Sequence, residues 1–473
     1  MKKEFFFKLL DAYQRYHHSA ITTKRIKYEQ IISVINNITN NQRFCVEKVG
    51  YSFEERDIFL IQWGQGDVRI LLWSQMHGDE STATRAMLDV WNFLISDDDF
   101  NEIRNDLFKK VTLIFIPVLN PDGANLFQRR TVQGIDINRD AIKLQTPEAR
   151  ILKKVIDRFH PDFGFNMHDQ SLYYSAGDSP FPASISFLAP AYNYAKEINT
   201  QRENAMAIIS YMNNLLQKII PGHVGRYDDT FNPRAFGDNI QKWGTSTILI
   251  ESGGYPGDGE KEYLRKLNFA LLLASFDAIA HDAYRISTNH PYDSIPYNIK
   301  DRFFDLLIRN AVIEIAGKEF KVDIGINREE ENYNDSNDFY FRSFIEDMGD
   351  MALYYGYEEL DVNGMKVKAG KSYPYRFETQ EELERADFDI ILKNGYTSVV
   401  VDDAILTRPF CDYPVNLVHR RKVKSADFKI IPEGPADFIV MDELVVKHII
   451  VNGFVVNSST AGFGVKNGLT YRY

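Results

Sequence analysis

The feature that most constrains this fold is a recurring junction, in which a short apolar run breaks off into an island of charged or metal-ligating side chains. Val68–Trp73 leads into Ser74, Gln75, Met76, His77, Gly78, Asp79 and Glu80, and 111–117 leads into Asn120, Pro121, Asp122 and Gly123. The run at 162–166 leads through Met167 to His168, and 245–250 leads to Glu251, Ser252, Gly253 and Gly254. Apolar runs this short read as buried strands. Segments 80–94, Pro147–Phe159, 191–219 and 260–284 show helical periodicity, and Thr146 followed by Pro147 is a helix start with a hydroxyl cap and proline at the first position. The alternation predicts an α/β layered fold on a mostly parallel or mixed sheet. Ligands in such folds gather beyond the carboxyl ends of the strands, where these islands are expected.

At 473 residues the chain is long enough for two domains, and 44% hydrophobic with 13% aromatic residues supplies sizeable cores. A net charge of -11 argues against nucleic acid and anionic membrane surfaces as partners. Cys45 and Cys411 are the only cysteines and sit in no metal-ligand spacing, so no disulfide framework is expected. The opening run Phe5-Phe6-Phe7-Lys8-Leu9-Leu10-Asp11 is broken by Lys8 and Asp11 and lacks a small-residue cleavage site. It reads as an amphipathic helix and not a signal peptide. No apolar run approaches the ~18 residues of a membrane span. These features together lead us to expect a cytoplasmic protein.

After Thr288-Asn289-His290-Pro291-Tyr292 the texture becomes β-rich, with strand-like runs at 311–319, 367–371, 389–402, 437–441 and 447–456. Asn452-Gly453 is a hairpin turn signal, and the acidic stretch 329–338 reads as an exposed loop. The division expected is 1–297 as one domain, with a helical N-terminal extension, and 298–473 as a smaller β-rich domain. Two segments of the second part, 305–312 and 436–441 with Val451-Asn452-Gly453, resemble the small β domain that flanks the barrel of amidohydrolases. There is too little chain between them for a barrel, so the resemblance implies an accessory β domain without its own chemistry.

His77, Glu80 and His168 together offer two imidazoles and a carboxylate, a donor set that suits Zn²⁺ and leaves a coordination position open. Glu251, directly after Ile248-Leu249-Ile250, is a charge that would be costly at that strand end without a purpose or partner, and is the candidate general base and acid. His160 precedes a proline at a helix end and reads as structural.

Across about 45–283, the ordered motifs H-G-D-E, N-P-D-G, R-R-x-x-x-G-x-D-x-N-R, a strand-end His and I-E-S-G-G resemble the zinc carboxypeptidase family. The resemblance implies an α/β/α sandwich around a mixed sheet, followed here by the β-rich domain. It also implies a metallocarboxypeptidase with one zinc ion on His77, Glu80 and His168, and with Glu251 as the catalytic carboxylate. By the same resemblance Asp136 would orient the first histidine and Arg129 would hold the oxyanion, although Arg130 remains an alternative. Asn138 and Arg139 would grip the terminal carboxylate of a peptide or peptide-like substrate, a task that suits a planar guanidinium fork. An amidase, deacylase or cell-wall peptide hydrolase of the same fold is the alternative, and a non-catalytic binding module the second. The sequence departs from the family at Asp140 and Asp169, where neutral residues are common, with Arg234 available to answer one charge. Tyr227 is the one tyrosine available in the loop that would close over substrate.

Overall fold

The computed structural model describes residues 2–285, 291–334, 336, 338–421, 429–456 and 468–471. They divide into two compact units, Met1–Asp301 and Arg302–Tyr473. The expected change of texture at 288–292 falls largely on 286–290, outside the described residues.

The first unit is built on one eight-stranded mixed sheet. Its strands are β1 (Phe44–Tyr51), β2 (Asp57–Gly64), β3 (Val68–Trp73), β4 (Val111–Ile116), β5 (Phe163–Asp169), then, after the two-residue β6 (Ser175–Ala176), β7 (Ile185–Leu188), β8 (Val224–Arg226) and β9 (Ser246–Ser252). The spatial order is β1-β2-β4-β3-β5-β9-β7-β8. The central strands β4, β3, β5 and β9 run parallel, with β2 and β7 antiparallel to their inner neighbours. A short strand, β10 (Asn298–Ile299), pairs with β6.

Period-two alternation along each strand feeds two separate cores. Ile70 and Leu72 face one side, where they join residues of α1 (Lys2–Ala12), α2 (Tyr28–Thr39), α3 (Thr82–Ile95) and α4 (Asn101–Lys110). Leu71 and Trp73 face the other side, against α6 (Pro147–Phe159), which follows the one-turn helix α5 (Pro121–Asn125). Beyond these, α7 (Thr200–Leu216) and α9 (Glu262–Ala280) complete the first layer and α8 (Phe236–Lys242) the second. The result is an α/β/α sandwich on a mixed sheet. The N-terminal extension belongs to this core: Phe6, Leu9 and Tyr13 are buried, Tyr13 donates to Asp89, and Arg265 pairs with both Asp89 oxygens at 2.7 Å. Among the described residues no helix is long and apolar enough to cross a membrane.

Several boundaries differ from the sequence expectation for local reasons. The third helix begins at Thr82 and not at 80, because Glu80 donates its amide to the His77 carbonyl in a tight turn ahead of it. Residues 191–199 are not helical. Asn199 caps α7 by accepting from the Arg202 amide, and the Arg202 side chain pins the preceding loop through the carbonyls of Ala189 and Lys196.

The second unit is β-rich, with an eight-stranded and a five-stranded sheet. Of the acidic stretch 329–338, read from sequence as a loop, residues 329–333 instead complete the strand Lys318–Tyr333, which pairs antiparallel with Asp338–Gly349. Its acidic side chains find cross-strand partners there: Glu331 meets Tyr340 and Arg342, and Glu330 lies opposite Phe341. The run 311–319 spans a hairpin turn at Ala316 and Gly317, both at positive φ. Likewise 389–402 splits into the short helix Phe388–Lys393, capped by Asp387, and the strand Tyr396–Val401. Asn452-Gly453 turns between Val445–Val451 and Phe454–Val456 as the dipeptide predicts.

One buried carboxyl makes the first unit pH-sensitive. Glu148, in the first turn of α6, is fully buried; one oxygen accepts from the Phe53 amide and the other has no partner. Burial pushes its pKa up to about 7, against the pull of the nearby peptide amides. The folded state therefore binds this proton more tightly than the unfolded chain, and stability falls as pH rises from about 4.5 through 7. Glu148→Gln removes the ionisation. Its unfolding free energy relative to wild type should rise by on the order of 1–3 kcal/mol between pH 4.5 and pH 8, measured by urea denaturation.

Candidate metal centre and cavity

Because β3, β5 and β9 are parallel neighbours, their carboxyl ends open side by side on a cavity of about 460 Å³. In register, His168 lies beside Glu251, and Trp73, four residues before His77, lies beside Asn166. The cavity is lined by His77, Glu80, Arg129, Asn138, Arg139, His168, Tyr227 and Glu251, among others.

The turn carrying His77 and Glu80 is held in place by the Asn120–Gly123 island. Asn120 donates its amide to the Gln75 carbonyl, and its side-chain oxygen caps α5 at the Gly123 amide. Gly78 packs so closely on Gly123 that a Cβ at Gly78 would lie 2.0 Å from the Gly123 carbonyl carbon. Asp122 points away from the cavity and accepts from Ser52, the Glu54 amide and Arg56, tying the β1–β2 hairpin to the same turn.

At the centre, His77 Nδ1 lies 2.8 Å from Glu80 Oε1, His168 Nδ1 lies 2.6 Å from Glu80 Oε2, and the two Nδ1 atoms are 3.1 Å apart. All three residues are buried, and they form a candidate cation site whose ligand atoms lie within 4.8 Å of one another. His77 Nε2 lies 3.0 Å from Asp136 Oδ1. If that nitrogen carries the proton, Nδ1 presents a lone pair to a carboxylate, and two acceptors in contact need a positive centre between them. His168 Nε2 is buried without a partner, so its ring is not engaged on its far side. Two imidazole nitrogens and a carboxylate, converging and mutually repulsive as neutral donors, fit a zinc ion.

Burial disfavours the charged form of His77, but Glu80 and Asp136 outweigh it and push its pKa up to about 9. Burial opposes ionisation of Glu80 as well, yet the two histidines hold its carboxyl well below the usual range. Asp136 is likewise held low, against its own burial, by the His77 hydrogen bond and by Arg129 and Arg139. In Glu251 the balance is reversed. Burial and the charges of Glu80 and Asp169 raise it well above the ordinary carboxylate range, with His77 and Arg129 pulling back.

The two arginines separate. Arg129 bridges Glu80 Oε1 at 3.0 Å and Asp136 Oδ2 at 3.3 Å and lines the cavity, whereas Arg130 folds back on the Gly134 carbonyl. Asp136 also caps the short turn Ile137–Arg139 through the Asn138 amide. The Asn138 side-chain oxygen accepts from the Phe236 amide at the start of α8, and Arg139 donates one bond to the Asn138 carbonyl.

Of the two departures from the family pattern, one is an ion pair and the other a cap. Asp169 accepts from Thr82 and pairs with Lys261 at 3.2 Å. Asp140 is a local cap, taking the Gln145 and Thr146 amides and the Thr146 hydroxyl. Arg234 answers neither charge and donates to the Arg139 carbonyl. Tyr227, whose role the sequence left open, is on the cavity wall, with its hydroxyl pKa raised by burial and by Glu251. Lys261 had no sequence signal, since it precedes α9 in an otherwise polar loop.

Zinc titration by calorimetry should show one tight site in the wild-type protein. His77→Ala should weaken it at least a hundredfold, because only two donor residues remain.

Residues 31–215 match the family described as zinc carboxypeptidase. Among curated proteins, the chain is 31% identical over 134 residues to probable carboxypeptidase 2 of Trichophyton verrucosum (strain HKI 0517) and to carboxypeptidase 2 of Trichophyton tonsurans. Each match covers 28% of this chain and 24% of the relative, so the chain spans about a quarter of the length of these relatives. Among solved structures, a metallo-carboxypeptidase from Burkholderia cenocepacia is 16% identical over 55% of this chain and 70% of that one, with a TM-score of 0.46. One from Pseudomonas aeruginosa, in complex with (2-guanidinoethylmercapto)succinic acid, is 18% identical with the same coverage and a TM-score of 0.41. Glu251 and Tyr227 lie beyond the matched stretch, and the sheet brings them to the same cavity. Over residues 31–215, which carry His77, Glu80, Arg129, Asp136, Asn138, Arg139 and His168, the chain matches the zinc carboxypeptidase family.

Proposed function

We propose that this protein is a zinc-dependent carboxypeptidase that hydrolyses the C-terminal peptide bond of peptides, with its chemistry in the first unit and the β-rich unit 302–473 as an accessory domain. The observation that carries the reading is Glu251, which faces the cavity and makes no side-chain hydrogen bond or ion pair among the described residues, beside the cluster His77, Glu80 and His168. Glu251 is partly buried, and a carboxylate withdrawn from water without a partner is costly and marks a functional candidate.

A zinc ion held by His77, Glu80 and His168 would polarise a carbonyl and acidify water at neutral pH. Glu251 accepts the proton of the attacking water and delivers it to the leaving amine. A carboxyl raised above its ordinary range suits both halves of that transfer. Arg129 Nη groups stand beside Glu80 and Asp136, placed to hydrogen-bond an oxyanion that develops at the reacting carbon. Asp136 accepts from His77 Nε2 and fixes the ring, leaving Nδ1 turned to the cluster. Asn138 has its oxygen committed to the Phe236 amide, so its NH₂ group remains to donate, and Arg139 keeps most of its donors. Together they bind the substrate's terminal carboxylate.

Glu251→Gln keeps the size and a hydrogen-bonding oxygen but cannot take the proton. Turnover of blocked dipeptides should fall by ~10²–10⁴-fold or more, with zinc stoichiometry unchanged by metal analysis. Arg139→Ala should raise KM for free-carboxylate substrates at least tenfold and leave C-terminally amidated analogues little affected, in steady-state assays against matched pairs. Equal effects on both members of a pair would favour the amidase or deacylase alternative.

A further inference from the structure

Residues 291–299 follow the segment after α9 and end at the last residues of the first unit. They pack against the ends of β7 and β8, where Leu188 and Tyr227 line the cavity. The Tyr292 hydroxyl accepts from the Ala189 amide just beyond β7, and the Pro296 carbonyl accepts from the Arg226 amide in β8. The Arg226 guanidinium lies 4.2 Å from the Tyr297 ring centroid and 5.2 Å from that of Tyr292, so both aromatics grip the residue preceding Tyr227.

At Asn298 this strap reaches in. Gln170, two residues beyond His168, donates from Nε2 to Ser186 Oγ at 3.0 Å; Ser186 donates to Asn298 Oδ1 at 3.0 Å; Asn298 Nδ2 donates back to Gln170 Oε1 at 3.0 Å. Each donor meets one acceptor in a closed ring, and Gln170 further donates to the Ala183 carbonyl. Ser186 is the residue opposite Glu251 in the β7–β9 pairing. The ring therefore ties the strand end that carries His168 to the strand that backs Glu251. It also has its own steric condition: a Cβ at Gly225 would lie 1.9 Å from Asn298 Oδ1, so only glycine there admits the side chain.

We infer that Asn298 is a positioning residue for the catalytic cavity, locking β5 to β7 through Gln170 and Ser186 and so fixing where His168 stands relative to Glu251. The inference rests on the hydrolase reading proposed above. It assigns to the strap, a segment outside the stretch that matches the family, a part in the geometry of the site.

The test uses the full chain. Asn298→Ala should lower kcat 10–100-fold per folded enzyme while KM changes less than threefold, since a small displacement of reacting groups costs rate and not binding. Asn298→Asp keeps the acceptor for Ser186 but loses the donor to Gln170, and should fall between wild type and Asn298→Ala. The double variant with Gln170→Ala should be no slower than the slower single variant, because both changes open one ring. A lowered Tm with kcat within threefold of wild type would reduce Asn298 to a structural residue and overturn the inference. Should Asn298→Ala fail to fold, the Asn298→Asp variant carries the same comparison. The absorption spectrum of the Co²⁺-loaded protein separates the two readings. If wild type cleaves no peptide, the hydrolase reading falls, and a spectrum changed by the Asn298 variant still supports the strap while an unchanged one overturns it.

Discussion

Two imidazole nitrogens and a carboxylate meet at the buried end of a sheet with no separation greater than 3.1 Å among the closest pairs, and the rest of the first unit is arranged around keeping them there. Groups of this kind repel or compete for protons unless a positive centre lies among them, so their approach must be enforced by covalent and packing constraints elsewhere. Parallel pairing of β3, β5 and β9 supplies the first constraint, because it brings three strand ends to one edge in register. The Asn120–Gly123 island supplies the second, by bracing the turn between His77 and Glu80 through a glycine-to-glycine contact. Asp136 supplies the third by holding the far nitrogen of His77.

The parts of this arrangement that were legible in the sequence are those written in local pattern. Strand β3 and helix α6 follow from apolar period and from the Thr146-Pro147 cap, and their bounds agree with the structure residue for residue. The strands β1, β2, β7 and β8 gave no such signal. β1 is mostly half-exposed, and β7 and β8 are three or four residues long, too short to show a period. The acidic stretch 329–338 reads as a loop for a related reason: its composition favours solvent, and the aromatic partners that make 329–333 part of a strand come from the next segment of chain. At the cavity, residue type and order singled out the cluster, but the choice between Arg129 and Arg130 needed the third dimension. Both stand side by side in sequence, and only the turn that follows them sends one to Glu80 and the other to the Gly134 carbonyl.

Charge accounts for the departures that sequence alone left unexplained. Asp169 next to His168 looks like an extra negative charge in a substrate pocket, and would change what that pocket accepts. Lys261 Nζ lies against it and also donates to the Ser252 carbonyl, one residue past Glu251, so the charge is neutralised and the same lysine steadies the strand end of the candidate base. Its backbone is left-handed, at φ 54, immediately before α9, which turns a surface-loop lysine inward. Asp140 is spent on three donors of its own turn. Four carboxylates around the cluster are thus assigned: Asp169 to Lys261, Asp140 to a cap, Asp136 and Glu80 to the histidines and Arg129. Glu251 is left with neither an ion pair nor a side-chain hydrogen bond among the described residues. Its pKa is raised by its burial and by the charges of Glu80 and Asp169, with His77 and Arg129 pulling back, and a carboxyl so raised is suited both to take a proton and to return it.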